Sequence, residues 1–136
     1  MVKSKLLVCA IACVMSVILA GAAYAIDLTG AWATDAEACA KVFEKKGNTI
    51  AFRPDSDMFG SGFIMDGPRI RGRMASCTVT KTKEDKDVVH MLASCATDIM
   101  YSSVQFSVKV MDANTITRIF PGIEGMELTY HRCPAR

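Results

Sequence analysis

Three arginines at alternate positions are the first residues of this sequence that could carry chemistry. Arg69, Arg71 and Arg73 would share one face of a β-strand, because successive side chains of a strand point to opposite faces. A guanidinium group presents a planar fork of N–H donors that matches a carboxylate or a phosphate. The pattern therefore predicts a site for an anionic ligand. The alternative is an outer strand face in contact with water.

The residues that follow the arginines make their direction ambiguous. The same alternation carried forward places Cys77 and Val79 on the arginine face. Either a bulge near Gly72 switches the faces, or the arginines point into the domain and line a cavity. The inward arrangement would leave Ile70 and Met74 exposed to solvent, so these two side chains distinguish the alternatives.

Other patterns in the sequence are reminiscent of metal sites. Residues 55–66 place carboxylates at the first, third and twelfth positions of a calcium loop, but Phe59 occupies the fifth position, where an oxygen ligand belongs. The methionines lack the close grouping of a copper site and are interpreted as packing residues or pocket lining. His90 and His131 have no ligand pair beside them. We therefore predict no metal ion and no cofactor.

Short motifs of catalytic centres are absent from the sequence. Gly60-Ser61-Gly62 lacks the frame of a nucleophile elbow, and there is no zinc-protease, P-loop or dinucleotide-binding motif. A serine triad could still be assembled from distant residues, which leaves a hydrolase as an alternative. We predict that the protein is not an enzyme and name no catalytic residue.

Residues 1–25 have the composition of a cleaved export signal. Lys3 and Lys5 form a basic start, residues 6–19 are almost continuously apolar, and residues 23–25 (Ala-Tyr-Ala) are a small-x-small cleavage site. A lipid-bearing Cys13 is the alternative, although it leaves a short hydrophobic region before the cut. The sequence thus predicts a periplasmic or secreted protein.

The chain after cleavage would form one domain with little net charge. Removal of residues 1–25 would leave 111 residues and lower the formal charge from +2 to zero. Nucleic acid is therefore not expected as a partner, since its binding needs a basic face. No later segment is apolar over the length that spans a membrane. The predicted partner is an unknown small molecule or an envelope protein.

Four cysteines remain after the predicted cleavage, and an oxidising compartment favours two disulfides. Two β-rich runs, 73–82 and 88–97, flank the charged turn 83–87 and predict a hairpin. Folding this hairpin about Asp85 or Lys86 places Cys77 opposite Cys95. We therefore predict the disulfide Cys77–Cys95, which leaves Cys39 to pair with Cys133.

The remaining elements are a short helix and a series of strands. Thr34-Asp35-Ala36-Glu37 matches a capping box, and Gly47 would end the helix that it opens, so residues 35–46 are predicted as helical. Beyond Gly47 the sequence predicts six or seven antiparallel strands. The fold class is mainly β, a meander that curls or closes into a barrel to protect its edges. The predicted strands are 49–53, 62–65, 69–82, 88–97, 104–110, 115–120 and 126–133.

Residues 27–32 (Asp-Leu-Thr-Gly-Ala-Trp) resemble the Gly-x-Trp opening of lipocalin-type barrels, in which the tryptophan closes one end of the barrel. The layout from this opening to the Arg132-Cys133-Pro134 ending is similar to that of small exported alphaproteobacterial proteins of unknown function. A helix directly after the opening departs from lipocalin order.

The function predicted from these observations is a non-enzymatic binding protein. A small-ligand pocket would be lined by Trp32, Phe106 and methionines, with the arginines, chiefly Arg71 and Arg73, holding an acidic group. The alternative is an envelope interaction protein or protease inhibitor that uses loops such as 54–61 and 121–125.

Overall fold

The structure, a computed structural model, describes residues 25–135. Eight strands close into an antiparallel barrel in the order β1-β10-β9-β8-β7-β6-β5-β4, and β2 and β3 form a separate hairpin. The predicted mainly β fold is confirmed, with eight barrel strands where six or seven strands in all were predicted. The elements are β1 (Gly30–Ala33), α1 (Cys39–Val42), β2 (Phe43–Lys46), β3 (Thr49–Phe52), β4 (Gly62–Asp66), β5 (Arg69–Arg71), β6 (Ser76–Asp85), β7 (Val88–Ala96), β8 (Tyr101–Asp112), β9 (Thr115–Ile119) and β10 (Glu127–Cys133).

The predicted signal peptide lies outside the described residues except for Ala25. Among residues 25–135, no helix has the length and apolar character needed to cross a membrane.

The β6–β7 hairpin turns where the sequence predicted it. Lys86 occupies the turn with a positive φ of 57°, and the register sets Cys77 opposite Cys95. The disulfide Cys77–Cys95 is present, and both of its cysteines are buried inside the barrel. The predicted pairing is therefore confirmed.

Closure of the barrel depends on β1, a strand of four residues. β1 lies between β10 and β4, so that Trp32 is opposite Arg132 on one side and Phe63 on the other. Alternate residues of each strand point inward and form the barrel core. The buried members of this core are Leu28, Trp32, Ile70, Cys77, Val89, Met91, Ala93, Cys95, Val108, Ile116 and Tyr130.

A second, smaller core lies on the outside of the barrel wall. Ala31 and Ala33 point outward from β1 and are covered by α1 and by the β2–β3 hairpin, whose Phe43 and Phe52 rings lie 5.1 Å apart. The disulfide Cys39–Cys133 ties α1 to β10 across this layer and confirms the second predicted pairing. The outer layer is therefore fixed to the barrel by packing and by a covalent bond.

The predicted helix 35–46 is wrong in its last four residues. Asp35 does cap a short 3₁₀ turn, accepting a hydrogen bond from the N–H of Glu37, but the helix ends at Val42. Residues 43–46 are a strand, and Gly47 lies in the β2–β3 turn with φ of 62° instead of ending a helix. The physical reason is that the extended conformation lets Phe43 pack on Phe52 over the barrel wall, which outweighs a weak local helix preference.

Gly62 is a position where the fold tolerates no side chain. A Cβ atom there would lie 2.6 Å from the Trp32 carbonyl oxygen and 2.8 Å from the Phe43 ring. We expect Gly62→Ala to lower the free energy of unfolding by about 2 to 3 kcal/mol, because backbone or ring atoms must move. Urea denaturation measures this loss. Gly72→Ala is the matched control, because its Cβ would meet no atom closer than 3.5 Å; equal losses for the two variants would contradict the prediction.

Candidate functional site

The two ends of the barrel differ in their connections. At one end the strands are joined by tight turns at residues 67–68, 86–87 and 113–114, none of which contains a large apolar side chain. At the other end lie the long segment 34–61 and the loops 72–75, 97–100 and 120–126. We call these the closed end and the open end.

The closed end is sealed by the segment before β1 and by one arginine. The Trp32 indole N–H donates to the Leu28 carbonyl at 2.9 Å, and the Arg132 guanidinium lies 4.3 Å over the Trp32 ring. Arg132 also donates to the carbonyls of Asp27, Thr29 and Ala113. The Thr29 N–H donates to the Asp27 carboxylate and, with its side chain, lowers the pKa of that carboxyl. A cleft of about 530 Å³ remains beside these groups. Its arginine, Arg132, already donates to three backbone carbonyls.

A cavity of about 180 Å³ lies inside the barrel toward the open end. Arg118 is the only charged residue in its lining, which otherwise consists of aromatic and aliphatic side chains with two small residues. The lining residues are Ser61, Gly62, Phe63, Ile70, Met91, Phe106, Val108, Arg118 and Tyr130. Such a lining, apolar with a few polar groups, is typical of small-molecule sites.

Most of the exposed large apolar side chains lie in the connections of the open end. Each of the four open-end connections carries at least one, and Ile99 is 92% exposed. Single exposed apolar residues are ordinary, but seven of the eleven exposed large apolar side chains in residues 25–135 lie in these connections. We call this set the rim, and it consists of Met58, Phe59, Met74, Ile99, Met100, Ile123 and Met126.

A larger groove of about 430 Å³ lies outside the barrel, between α1 and the β2–β3 hairpin. Its charged residues include Glu44 and Arg53, which pair with each other at 3.8 Å. Lys46 also pairs with Glu44, at 3.2 Å. The four charged residues of the lining, Glu37, Glu44, Lys45 and Arg53, sum to zero. The barrel cavity, with its apolar lining and one arginine, is the stronger candidate site despite its smaller volume.

The three predicted arginines lie on the outer surface of the barrel. Ile70 is 7% exposed and Met74 76% exposed, so Ile70 points inward and the arginines beside it point outward. The chain turns at Gly72, whose N–H donates to the Ala75 carbonyl. This turn separates β5 from β6, where one strand 69–82 was predicted, and it switches the faces.

Two of these arginines hold the outer layer. Arg71 donates to the Ile50 carbonyl at 3.0 Å, and Arg73 donates to the carbonyls of Arg53 and Pro54. Arg69 is exposed and opposes Thr78 on β6. The proposed ligand role of the three arginines stays a prediction, but the structure does not bring them to the cavity.

The other predicted pocket residues are divided between the two ends. Phe106 lines the cavity, whereas Trp32 is fully buried at the closed end under Arg132. Of the methionines, Met91 lines the cavity and Met65 packs against the core, while the remaining five after the predicted signal are exposed. The interpretation of the methionines as packing residues or pocket lining therefore holds for Met65 and Met91, and the five exposed methionines do neither.

The structure brings one serine and one histidine together. His90 Nδ1 lies 2.8 Å from Ser107 Oγ, a nucleophile–base distance. Ser107 is 0% exposed, however, so its hydroxyl is not accessible to a substrate. In residues 25–135, no three His, Cys, Asp or Glu side chains lie close enough together to hold a metal ion.

Arg118 is the site residue that the sequence analysis did not find. It is opposite Val108, an inward position of β8, and residues opposite each other on neighbouring strands share a face. A signal was present in the sequence: Ile116 and Arg118 alternate with threonine and isoleucine in Thr-Ile-Thr-Arg-Ile, so an apolar position and an arginine share one face.

No protein-family model, curated protein or solved structure matches this chain.

Proposed function

We propose that this protein is an exported, non-enzymatic binding protein that carries a small molecule in the open end of its barrel. The observation that carries the proposal is the cavity of about 180 Å³, apolar except for one half-buried arginine and lying among exposed apolar loops. An eight-stranded barrel has an interior wide enough for side chains or for one small ligand. Here Trp32 and Arg132 cover each other at the closed end, and the cavity lies among inward side chains toward the open end.

The covalent framework supports export to the periplasm or beyond. Two disulfides persist only where thiols are not kept reduced, which in bacteria means outside the cytoplasm. Cys77–Cys95 also fixes β7, the strand that carries the cavity residue Met91, to β6. A stiff pocket loses less entropy when a ligand binds.

We further propose that the Gly30-Ala31-Trp32 opening serves as it does in lipocalin-type barrels, with Trp32 sealing the end opposite the ligand. The indole hydrogen bond to Leu28 and the stacked Arg132 support this role. The up-and-down strand order supports it as well. The short helix and the β2–β3 hairpin after β1 are additions to that arrangement.

Benzene is the probe that tests whether the cavity accepts a small apolar body. We expect its addition to shift the methyl NMR signals of Ile70 and Val108, because both side chains line the cavity. The Ser61→Trp variant should abolish the shifts by filling the cavity mouth. Its hydrogen bonds with Thr34 use the backbone of residue 61 and survive the change.

Ser103→Trp, on the exposed outer face of β8, is the matched control and should leave the benzene shifts unchanged. The absence of benzene shifts in the folded wild-type protein would rule out the carrier proposal. Loss of the shifts in both tryptophan variants would show that the blocking effect is not specific to the cavity.

The second candidate function is docking to an envelope protein through the rim. The observation that favours it is that loops 54–61 and 121–125 both lie at the open end and carry exposed apolar side chains, Met58 and Ile123 among them. This candidate requires no accessible cavity. If the wild-type protein does not bind benzene, docking through the rim is the candidate function that remains.

A further inference from the structure

Arg118 differs in its hydrogen bonding from the other arginines that point inward or are half-buried. It lies on β9 opposite Val108, faces the cavity and is half-buried. Arg132, the other inward arginine, donates to three backbone carbonyls. Arg71 donates to one. Among residues 25–135, by contrast, Arg118 makes no ion pair and its guanidinium donates no hydrogen bond.

Two aromatic rings hold the Arg118 guanidinium. Its Cζ atom lies 4.7 Å from the centre of the Phe106 ring and 4.6 Å from that of the Phe120 ring. Cation–π attraction of this kind uses none of the five N–H donors of the guanidinium, which remain available to an acceptor. The two rings therefore hold the guanidinium group in place and accept none of its N–H hydrogen bonds.

The Arg118 donors are not sealed from water, because Ser56 Oγ is the one buried side-chain N or O atom without a partner in residues 25–135. No carboxylate of the cavity lining pairs with Arg118, which is the only charged residue in that lining. A single positive charge balances one carboxylate, whereas a phosphate dianion would need a second cation. The ligand group that matches this single fork has one negative charge and two acceptor oxygens.

The volume of the cavity limits the rest of the ligand. At about 180 Å³ it is well below the roughly 300 Å³ at which drug-sized pockets begin. An apolar cavity of roughly 150 Å³ holds one benzene molecule. The walls formed by Phe63, Phe106 and Tyr130 suit a flat ring or a short branched chain.

We propose that Arg118 is the anion anchor of this cavity and that the ligand class is a small monocarboxylate with a compact apolar body, of the size of benzoate. The proposal rests on the proposed function and specifies its substrate class. The carboxylate accepts two parallel hydrogen bonds from the guanidinium fork, and the ring lies against the apolar walls.

The test compares benzoate with benzyl alcohol, which has nearly the same size and no charge. Titration calorimetry or NMR on the wild-type protein should give benzoate at least a tenfold lower Kd, because hydrogen bonds to a charged group are the stronger ones. Arg118→Gln should remove this preference. Arg69→Gln removes the same charge from the outer face and should leave the preference unchanged, which also tests the predicted role of Arg69.

A second measurement needs no variant and so does not depend on Arg118→Gln folding. The side-chain Nε resonance of Arg118 in the wild-type protein should shift with benzoate and much less with benzyl alcohol. Equal affinity for the two probes, or a preference for benzoate that survives in Arg118→Gln, would overturn the anchor. So would an equal loss in Arg69→Gln. Binding of benzene without any preference for benzoate would leave the proposed function in place and reject only its substrate class.

Discussion

Replacement of Cys39 and Cys133 with alanine is expected to lower the free energy of unfolding by about 4 to 5 kcal/mol. The disulfide joins residues 94 positions apart. In the chain-entropy model such a closure lowers the conformational entropy of the unfolded chain, which raises its free energy by about 4 to 5 kcal/mol. Urea denaturation followed by the fluorescence of Trp32, the only tryptophan, measures the change. The m-value should rise, because the unfolded chain without this bridge exposes more surface.

Cys77→Ala with Cys95→Ala is the comparison for this disulfide. That bridge spans only 18 positions, and its entropic contribution is about 3 kcal/mol. Its cysteines are buried in the barrel core, so their truncation adds a packing loss that does not depend on loop length. A loss of less than about 2 kcal/mol for the Cys39 and Cys133 pair would contradict the expected role of the longer bridge.

Arg132→Met is expected to lower the free energy of unfolding by about 2 to 3 kcal/mol. The change removes hydrogen bonds to the carbonyls of Asp27, Thr29 and Ala113 and the cation–π contact with Trp32. Methionine keeps an unbranched side chain over the ring, so the loss reports chiefly the guanidinium group. The Trp32 emission should also move to longer wavelength as water reaches the closed end.

Arg69→Met is the control for Arg132, since Arg69 is an exposed barrel arginine on the outer face of β5. Its replacement should change the stability by no more than about 0.5 kcal/mol. If the two methionine variants were equally stable and Trp32 emission did not move, Arg132 would have no part in sealing the barrel.

The local features of the fold could be predicted because each depends on residues close together in the chain. The charged turn around Lys86 defines a hairpin, and the hairpin alone brings Cys77 and Cys95 together. Alternation marked Val108 and its neighbours on β8 as one inward face, which the structure confirms. Such patterns need only the two-residue period of a strand and the chemistry of turns.

The helix shows how local information failed. The capping box at Thr34 predicted the right starting point, since Asp35 caps the turn that begins at Ala36. The same pattern could not reveal that Phe43 packs on Phe52 and on the barrel wall, which pulls residues 43–46 into a strand. The chain follows tertiary packing there because four residues of helix are worth little by themselves.

The candidate site was only partly accessible to sequence reasoning. Phe106 was identified from its alternating strand, and it lines the cavity. Arg71 and Arg73 were preferred to Arg118 because three alternating arginines are conspicuous, whereas one arginine in a short strand is not. The direction of their side chains depended on the turn at Gly72. That turn has a hydrogen bond from the Gly72 N–H to the Ala75 carbonyl, which no sequence motif predicted.

The sequence by itself determined most of the strands and the tight turns between them, the pairing of the four cysteines and the mainly β character of the domain. Only the tertiary structure decided that β1 closes the barrel between β10 and β4, that Arg132 covers Trp32, and that Arg118 faces a cavity between two phenylalanines. The physical reason is sequence separation. Strand period and turn chemistry act over a few residues, whereas barrel closure joins residues about a hundred positions apart, and their contacts form only when the whole sheet has curled.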